Sequence, residues 1–300
     1  MPPAHCAVSH EFHLCDVFAT ERYAGNQLAV VTDAGDLSTD EMQAVANEMN
    51  YSESTFVTGR DDDGWDVRIF TPNSEIPFAG HPTLGTAAVI REHLAAAEPD
   101  PITLHLGVGD VPVRVEGDDE DPLYWMTQRP PEFGRTFDRG TAAAALGLSV
   151  DDVRDDLPVQ WVSTGLPTVV VPLRDRNALE RAEVDPDGYA ALTGDHDGKN
   201  VLAFCPEPRD SAHDYADRVF APFYGVTEDP ATGSSNGCLA GYLVRHRDAP
   251  LDVVVEQGYE MGRPSLLHLV AGERDGSDGD GEIEVQVGGR VVPVARGELY

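Results

Sequence analysis

Two segments of this chain bring glycine, histidine, aspartate and small hydroxyl residues together where a helix is expected to begin. Arg68-Ile69-Phe70-Thr71-Pro72 leads into Ala79-Gly80-His81-Pro82-Thr83. Arg218-Val219-Phe220-Ala221-Pro222 leads into Asp229-Pro230-Ala231-Thr232-Gly233-Ser234-Ser235. The arginines lie 150 positions apart and the glycines 153. Each glycine opens a segment that is apolar nearly all round: Leu84, Ala87, Ala88, Val89 and Ile90 in the first, Cys238, Leu239, Ala240, Tyr242, Leu243 and Val244 in the second. A helix apolar on every side is a buried helix. Its first turn carries backbone N–H groups with no acceptor inside the helix. Two such starts facing one another would form a cleft suited to an anionic small molecule.

Other chemistries find less support. No Gly-x-Gly-x-x-Gly follows a strand and there is no Walker loop, so nucleotide chemistry is not expected. His5, Cys6, His10, His13 and Cys15 gather near the start but match no standard zinc spacing, and no metal is expected there. His13 and Cys15 would share one face of a strand. Cysteines at 6, 15, 205 and 238 form no Cys-x-x-Cys, which fits a reducing cytoplasm.

The elements that must position the two helix starts are many short strands. Strand character marks Phe12 to Val17, Leu28 to Val31, Ser54 to Thr58 and Trp65 to Phe70, then stretches near 102–106, 111–116 and 123–127. Ser38 and Glu41 form a capping box for a helix through Met49. The first buried helix is expected from about Pro82 to Ala97. Gln128-Arg129-Pro130-Pro131 reads as a linker. Beyond it come a short helix at Thr141 to Gly147 and strands at Val159 to Ser163, Thr168 to Pro172, Val201 to Phe204 and Asp217 to Phe220. The tail has strands near 252–256, 265–270, 282–287 and 290–294. Gly165 repeats Gly25 at a distance of 140 positions. One buried helix among many strands per half points to an α+β protein, not a doubly wound one. We expect two domains, 10–128 and 129–287, a flexible leader over 1–9, and a strand over about 288–300 that can return to the first domain.

Composition narrows the partners. Aspartate plus glutamate number 53 against 21 lysine plus arginine, a formal charge of −32, and the one lysine is Lys199. Such a charge repels nucleic acid and anionic membranes. The acids are spread along the chain, as in a surface adapted to a salt-rich cytoplasm, and are not massed in an acidic tail. Asp61-Asp62-Asp63 and Asp118-Asp119-Glu120 read as solvated turns. With 41 % hydrophobic residues the chain can fold. No segment is apolar enough to span a bilayer, and no signal peptide is evident.

Several blocks resemble the PhzF-like phenazine-biosynthesis family. They are Asp16-Val17-Phe18, Gly25-Asn26-Gln27-Leu28-Ala29-Val30-Val31, Met49-Asn50-Tyr51-Ser52-Glu53-Ser54-Thr55-Phe56-Val57, Arg68-Ile69-Phe70-Thr71-Pro72, Glu75-Ile76-Pro77-Phe78-Ala79-Gly80-His81-Pro82-Thr83 and Glu228-Asp229-Pro230-Ala231-Thr232-Gly233-Ser234, in family order. The resemblance implies a diaminopimelate epimerase-like fold: two pseudo-symmetric domains, each a mostly antiparallel, barrel-like sheet around a central buried helix, with the active site between them. It also implies a cofactor-independent isomerase that moves a proton within a dihydro-hydroxyanthranilate-like acid, and a homodimer. Taken with the acidic composition, it points to a halophilic archaeal member. The acid/base glutamate falls on Glu53 and its partners on His81 and Asp229. Glu53, partly buried between domains, should have a raised pKa. Gly80 and His81, with Gly233, Ser234 and Ser235, would bind the substrate carboxylate through backbone N–H groups, and Asn26 falls on the substrate side.

Without the resemblance these residues have ordinary readings. Glu53 is one of 53 acids, His81 a neighbour of a helix cap, and Asp229 before Pro230 a turn or N-cap residue. Glu75 reads as a loop acid. Relatives of the wider fold epimerise with two opposed cysteines, whose positions here fall on Ala79 and Thr232. Cys238 lies inside its helix and should be buried and inert. Two-thiol epimerisation is therefore disfavoured. Epimerisation through Glu53 and another group, or ligand binding without catalysis, stays open.

Overall fold

The computed structural model describes residues 9–96, 99–118, 121–274 and 282–300. His5 and Cys6, the expected leader up to residue 8, Ala97 at the end of the expected helix, and Asp119 and Glu120 of one acidic run lie outside the described residues. The first half of the chain runs β1 (His10–Val17), β2 (Asn26–Val31), α1 (Thr39–Met49), β3 (Glu53–Arg60), β4 (Trp65–Phe70), β5 (Glu75–Ile76), α2 (Gly80–Val89), β6 (Ile102–Leu106), β7 (Gly109–Glu116) and β8 (Leu123–Thr127). The second runs β9 (Glu132–Phe137), α3 (Arg139–Ala145), β10 (Val159–Ser163), β11 (Thr168–Pro172), α4 (Arg176–Arg181), α5 (Pro186–Thr193), β12 (Asn200–Cys205), β13 (Tyr215–Ala221), β14 (Val226–Asp229), α6 (Gly233–Arg247), β15 (Leu251–Gln257), β16 (Ser265–Arg274), β17 (Glu282–Gly289) and β18 (Val291–Leu299). The class is α+β, as expected.

The two halves are wired alike. In the first, β1–β2 is antiparallel, β2–β3 parallel, β3–β4 antiparallel and β4–β6 parallel, with β7 and β8 continuing antiparallel. In the second, β10–β11 is antiparallel, β11–β12 parallel, β12–β13 antiparallel and β13–β15 parallel, followed by antiparallel β16 and β17. Each parallel step needs a crossover, and the β4-to-β6 and β13-to-β15 crossovers are the buried helices α2 and α6. β18 pairs with β1 as β9 pairs with β10, so the chain's last strand lies against its first. The β8–β17 pair joins the two sheets.

The repeated arginines prove to be part of this wiring. Arg68 grips Glu75 with Nε at 2.8 Å and Nη2 at 2.7 Å, tying β4 to β5. Arg218 grips Glu228 at the same two distances, 2.8 and 2.7 Å, tying β13 to β14. Each guanidinium also lies over a phenylalanine of its own strand, 5.1 Å from Phe70 and 4.9 Å from Phe220. A forked, planar cation suits a bidentate carboxylate, which accounts for arginine at both places.

Several boundaries differ from the sequence reading. The first buried helix starts earlier, at Gly80, and from Ile90 to Leu94 it loosens into a π-helical turn. The turn keeps Ile90 in the core while Glu92 and His93 face outward. α3 starts two residues before Thr141 because the Asp138 side chain accepts the Thr141 N–H as its cap. Short helices α4 and α5, capped by Asp175 and Asp185, fall where no helix was expected. The expected strand at 290–294 runs from Val291 on to Leu299. No helix among the described residues is long and apolar enough to cross a membrane.

Every residue of α2 is buried, as is most of α6. Their side chains share one core cluster that includes Val17, Phe18, Leu28, Leu84, Leu239 and Val287. Among the glycines of the two helices packing is tightest at Gly85, where an added Cβ would lie 2.5 Å from Leu28 Cδ2 and 2.8 Å from Val17 Cγ2. Both neighbours are fully buried and cannot swing away. Gly85→Val should therefore destabilise the protein by about 1–3 kcal/mol through overpacking. Urea unfolding would show it, and an unchanged midpoint would count against a rigid contact there.

Candidate active site

The two buried helices meet at their starts. A Cβ on Gly80 would lie 3.6 Å from the Ser234 nitrogen and 3.8 Å from the Gly233 Cα. Ala79 and Thr232 are the N-cap residues, and neither side chain caps its own helix. The N–H groups of Gly80 and His81, and of Gly233, Ser234 and Ser235, thus belong to two first turns that converge on one point. Pro82 has no N–H and fits the first turn of α2.

Glu53 opens β3 beside Leu28 of β2, which brings it to the start of α2. Its Oε2 lies 3.5 Å from His81 Nε2, with the Glu53 side chain 18 % exposed. Both atoms are buried, and neither has a hydrogen-bond partner among the described residues. The other ring nitrogen of His81 meets the backbone of Gln27. Bonding a backbone carbonyl through Nδ1–H leaves the lone pair on Nε2, facing Glu53. Burial lowers the His81 pKa to about 3, against the Gln27 contact, so the ring is neutral. Burial and then the charge of Asp229 raise Glu53 to about 8. Near pH 7 a proton on Glu53 therefore faces an imidazole lone pair.

Asp229 closes β14 and comes from the other half of the chain. Burial raises its pKa to about 6, with Glu228 adding to the rise, against hydrogen bonds from Thr232 and Asn26. Asn26 is buried, and its Nδ2 donates to Asp229 Oδ1 and to Ala231 O, each at 3.0 Å. Its amide donors are thus committed to the Asp229 turn. Ser235 is also fully buried, its hydroxyl 3.0 Å from Thr168 Oγ1 and 3.3 Å from Asn200 Nδ2, so only its N–H can face the joint. Ser234 is half-buried at the junction with Gly80.

The structure thus gathers Glu53, His81, Asp229, Asn26, Gly80, Gly233, Ser234 and Ser235 around the two helix starts. It also places there two buried residues that the sequence reading passed over. Gln257, at the end of β15, holds the Asp229 turn. Asp217 on β13 is buried beside Asn236, and burial pushes its pKa well above the usual range. Asp217 left a sequence signal, a lone acid inside an apolar strand. Gln257 left none, because its partners are 21 to 28 residues away.

The N-terminal histidines and cysteine do other work. His10 Nδ1 contacts the Asp33 carbonyl at 3.0 Å, and His13 stacks on His93 with centroids 4.2 Å apart. Cys15 and Cys238 are buried, and burial raises both thiols. No group of three or more metal-ligating side chains converges among the described residues.

Known proteins resemble this chain in sequence and fold to different degrees. A trans-2,3-dihydro-3-hydroxyanthranilate isomerase from Pseudomonas aeruginosa is 37 % identical over 297 residues, covering 97 % of this chain and 99 % of the relative. The crystal structure of a PhzF-family phenazine biosynthesis protein from Bacillus anthracis superposes with a TM-score of 0.89 at 25 % identity, covering 97 % and 99 % of the two chains. A probable proline racemase from Agrobacterium radiobacter, at 11 % identity and a TM-score of 0.58 over 97 % and 93 %, shares the fold alone. The family model for phenazine biosynthesis-like proteins matches residues 15–297, and the chain belongs to that PhzC-PhzF family.

Proposed function

We propose that this chain, an isomerase by family, moves a proton within a small carboxylate-bearing substrate like trans-2,3-dihydro-3-hydroxyanthranilate, without a cofactor. The observation that carries the reading is Glu53 Oε2, buried without a hydrogen-bond partner among the described residues and facing a neutral His81. A carboxylate so placed is a strong base for its type, because water does not stabilise its charge. The converging N–H groups of α2 and α6 would hold the substrate carboxylate. As Glu53 takes a proton from carbon, negative charge spreads toward that carboxylate, where the N–H groups already point. The proton on Glu53 would rest against His81 Nε2 and then return to another carbon. Asp229, ionised near neutrality, would hold an amino group or orient the ring.

Two carboxyl groups from opposite halves also leave room for epimerisation of another small acid. The products separate the two outcomes. In D₂O, the isomerase should take deuterium from solvent and shift the double bond, whereas an epimerase would exchange without the shift. Glu53→Gln should lower turnover by about 10²–10⁴-fold. Mass spectrometry with the dihydro-hydroxyanthranilate reads both, and a fully active Glu53→Gln would sink the assignment of Glu53.

The setting follows the same reading. The free, buried Cys15, Cys205 and Cys238 suit a reducing cytoplasm. The acidic surface suits a halophile, where salt screens its self-repulsion. A homodimer is the expected assembly.

Two pH dependences follow from Glu53. As a base it must be ionised, so kcat/KM should rise with pH up to about 8 and level off above. A flat profile from pH 6 to 9 would remove Glu53 from that role. A carboxyl raised in the folded state binds its proton more tightly there than when unfolded. Its ionisation therefore costs stability as pH climbs from the unfolded value toward about 8. Glu53→Gln should stabilise the fold at pH 8 by at least about 1 kcal/mol, and progressively less toward pH 5. Urea titrations at both pH values give the comparison, and an equal effect at both would contradict it.

A further inference from the structure

Gln257 is 1 % exposed, and its amide makes four hydrogen bonds at the base of the site. Oε1 accepts from the Thr232 N–H at 3.0 Å and from Asn236 Nδ2 at 3.0 Å. Nε2 donates to the Asp229 carbonyl at 2.8 Å and to Thr232 Oγ1 at 3.1 Å. A backbone N–H can only donate, so the Thr232 N–H decides which end of the amide is oxygen. The amide nitrogen must then face Thr232 Oγ1. A hydroxyl that already accepts from an amide turns its own proton to the next acceptor, and that acceptor is Asp229 Oδ2.

The surrounding turn is held as firmly. Asn26 Nδ2 binds the Ala231 carbonyl at 3.0 Å and Ser265 Oγ the Pro230 carbonyl at 2.8 Å. Gly258, at φ 77°, packs so closely that a Cβ would lie 2.5 Å from the Pro230 oxygen. The charged group that raises Asp229 is Glu228 on its own strand, itself held by Arg218. Asp229 in turn raises Glu53 from β3 and Asp217 from β13, which still hold their protons when it ionises. Only its hydrogen-bond donors, Thr232 and Asn26, favour an ionised Asp229.

We propose that Gln257 is a positioning residue for this site: its amide sets the direction of the Thr232 hydroxyl, and through it the hydrogen bond that the Asp229 carboxylate accepts. The inference rests on the reading of Asp229 as the substrate-orienting carboxylate and adds the group that makes it so. A residue that merely filled space behind the turn would affect stability without affecting how Asp229 titrates.

The test is a ¹³C NMR titration of the Asp229 carboxyl in the unliganded protein, its signal assigned by its loss in Asp229→Asn. Gln257→Leu should raise the Asp229 midpoint by about one pH unit. Thr232→Val, which keeps the shape and removes the hydroxyl, should raise it similarly. The double variant should add little, because both changes remove one hydrogen bond. In turnover assays Gln257→Leu should lower kcat roughly tenfold with KM changed less than about threefold. An unmoved Asp229 midpoint in both single variants, or additive shifts in the double one, overturns the proposal. If Gln257→Leu does not fold, Gln257→Met takes its place in the same titration, and an unmoved midpoint in Thr232→Val still overturns the proposal. The titration needs no substrate, so it separates the two levels. A wild type inactive on the dihydro-hydroxyanthranilate with the shift present rejects that substrate and keeps the positioning role. An active wild type without the shift does the reverse.

Discussion

The site depends on one constraint: two buried helices must start at the same point. Each first turn presents N–H groups that its own helix cannot satisfy, and a protein core cannot hold such groups without partners. Bringing Gly80 so near Gly233 and Ser234 that an added Cβ would touch both concentrates them at one joint. Their dipoles add there, and an anion is the natural complement. The duplicated strands serve this end. In each half a parallel crossover carries its helix across the sheet, and the β8–β17 pair joins the halves edge to edge.

The frame is duplicated but the chemistry on it is not. Strand register places Glu53 opposite Leu28, and the same position in the second half, opposite Thr168, is Asn200. Asp229 pairs with Val219, and the matching residue opposite Ile69 is Ile76. Each half thus supplies one carboxyl group from a different place in the repeat. Their surroundings differ as much as their positions. Glu53 has no donor to Oε2 among the described residues and holds its proton to about pH 8. Asp229 accepts from Thr232 and Asn26 and loses its proton near pH 6. Two acids whose environments push their pKa values apart can play different parts at one pH. The neutral His81 between the helix start and Glu53 adds no charge to blur the difference.

The surface places few demands on this arrangement. Most of its ion pairs are exposed, such as Arg114 with Glu116, and such pairs contribute little each. The buried pairs are fewer and structural. Arg218 with Glu228 ties β13 to β14, and Arg263 with Asp16 fastens the β15–β16 turn to the start of the chain. Arg263 also donates to the carbonyls of Ala24 and Gly25, just before Asn26, so this contact holds in register the loop that reaches across to Asp229.

The sequence alone determined the α+β class, the repeat and both buried helices; the meeting of their first turns was a condition that the tertiary structure met. The former are local properties: apolar residues on every face make a helix buried, and a glycine at its start lets another backbone come close. The motifs also singled out Glu53, His81 and Asp229, although nothing in their spacing separated them from the other acids and histidines. Only the tertiary structure decided what surrounds them. Asn26 and Ser235, read as substrate-side residues, have side chains committed to the Asp229 turn and to Thr168 and Asn200. The repeated arginines, the most visible part of the motif, tie strands together. Gln257 became visible only on folding, and the lone acid Asp217 in its apolar strand gained its place beside the site only there. Hydrogen bonds and desolvation act over a few ångströms between residues far apart in the chain, and that distance is fixed by packing, which no local pattern records.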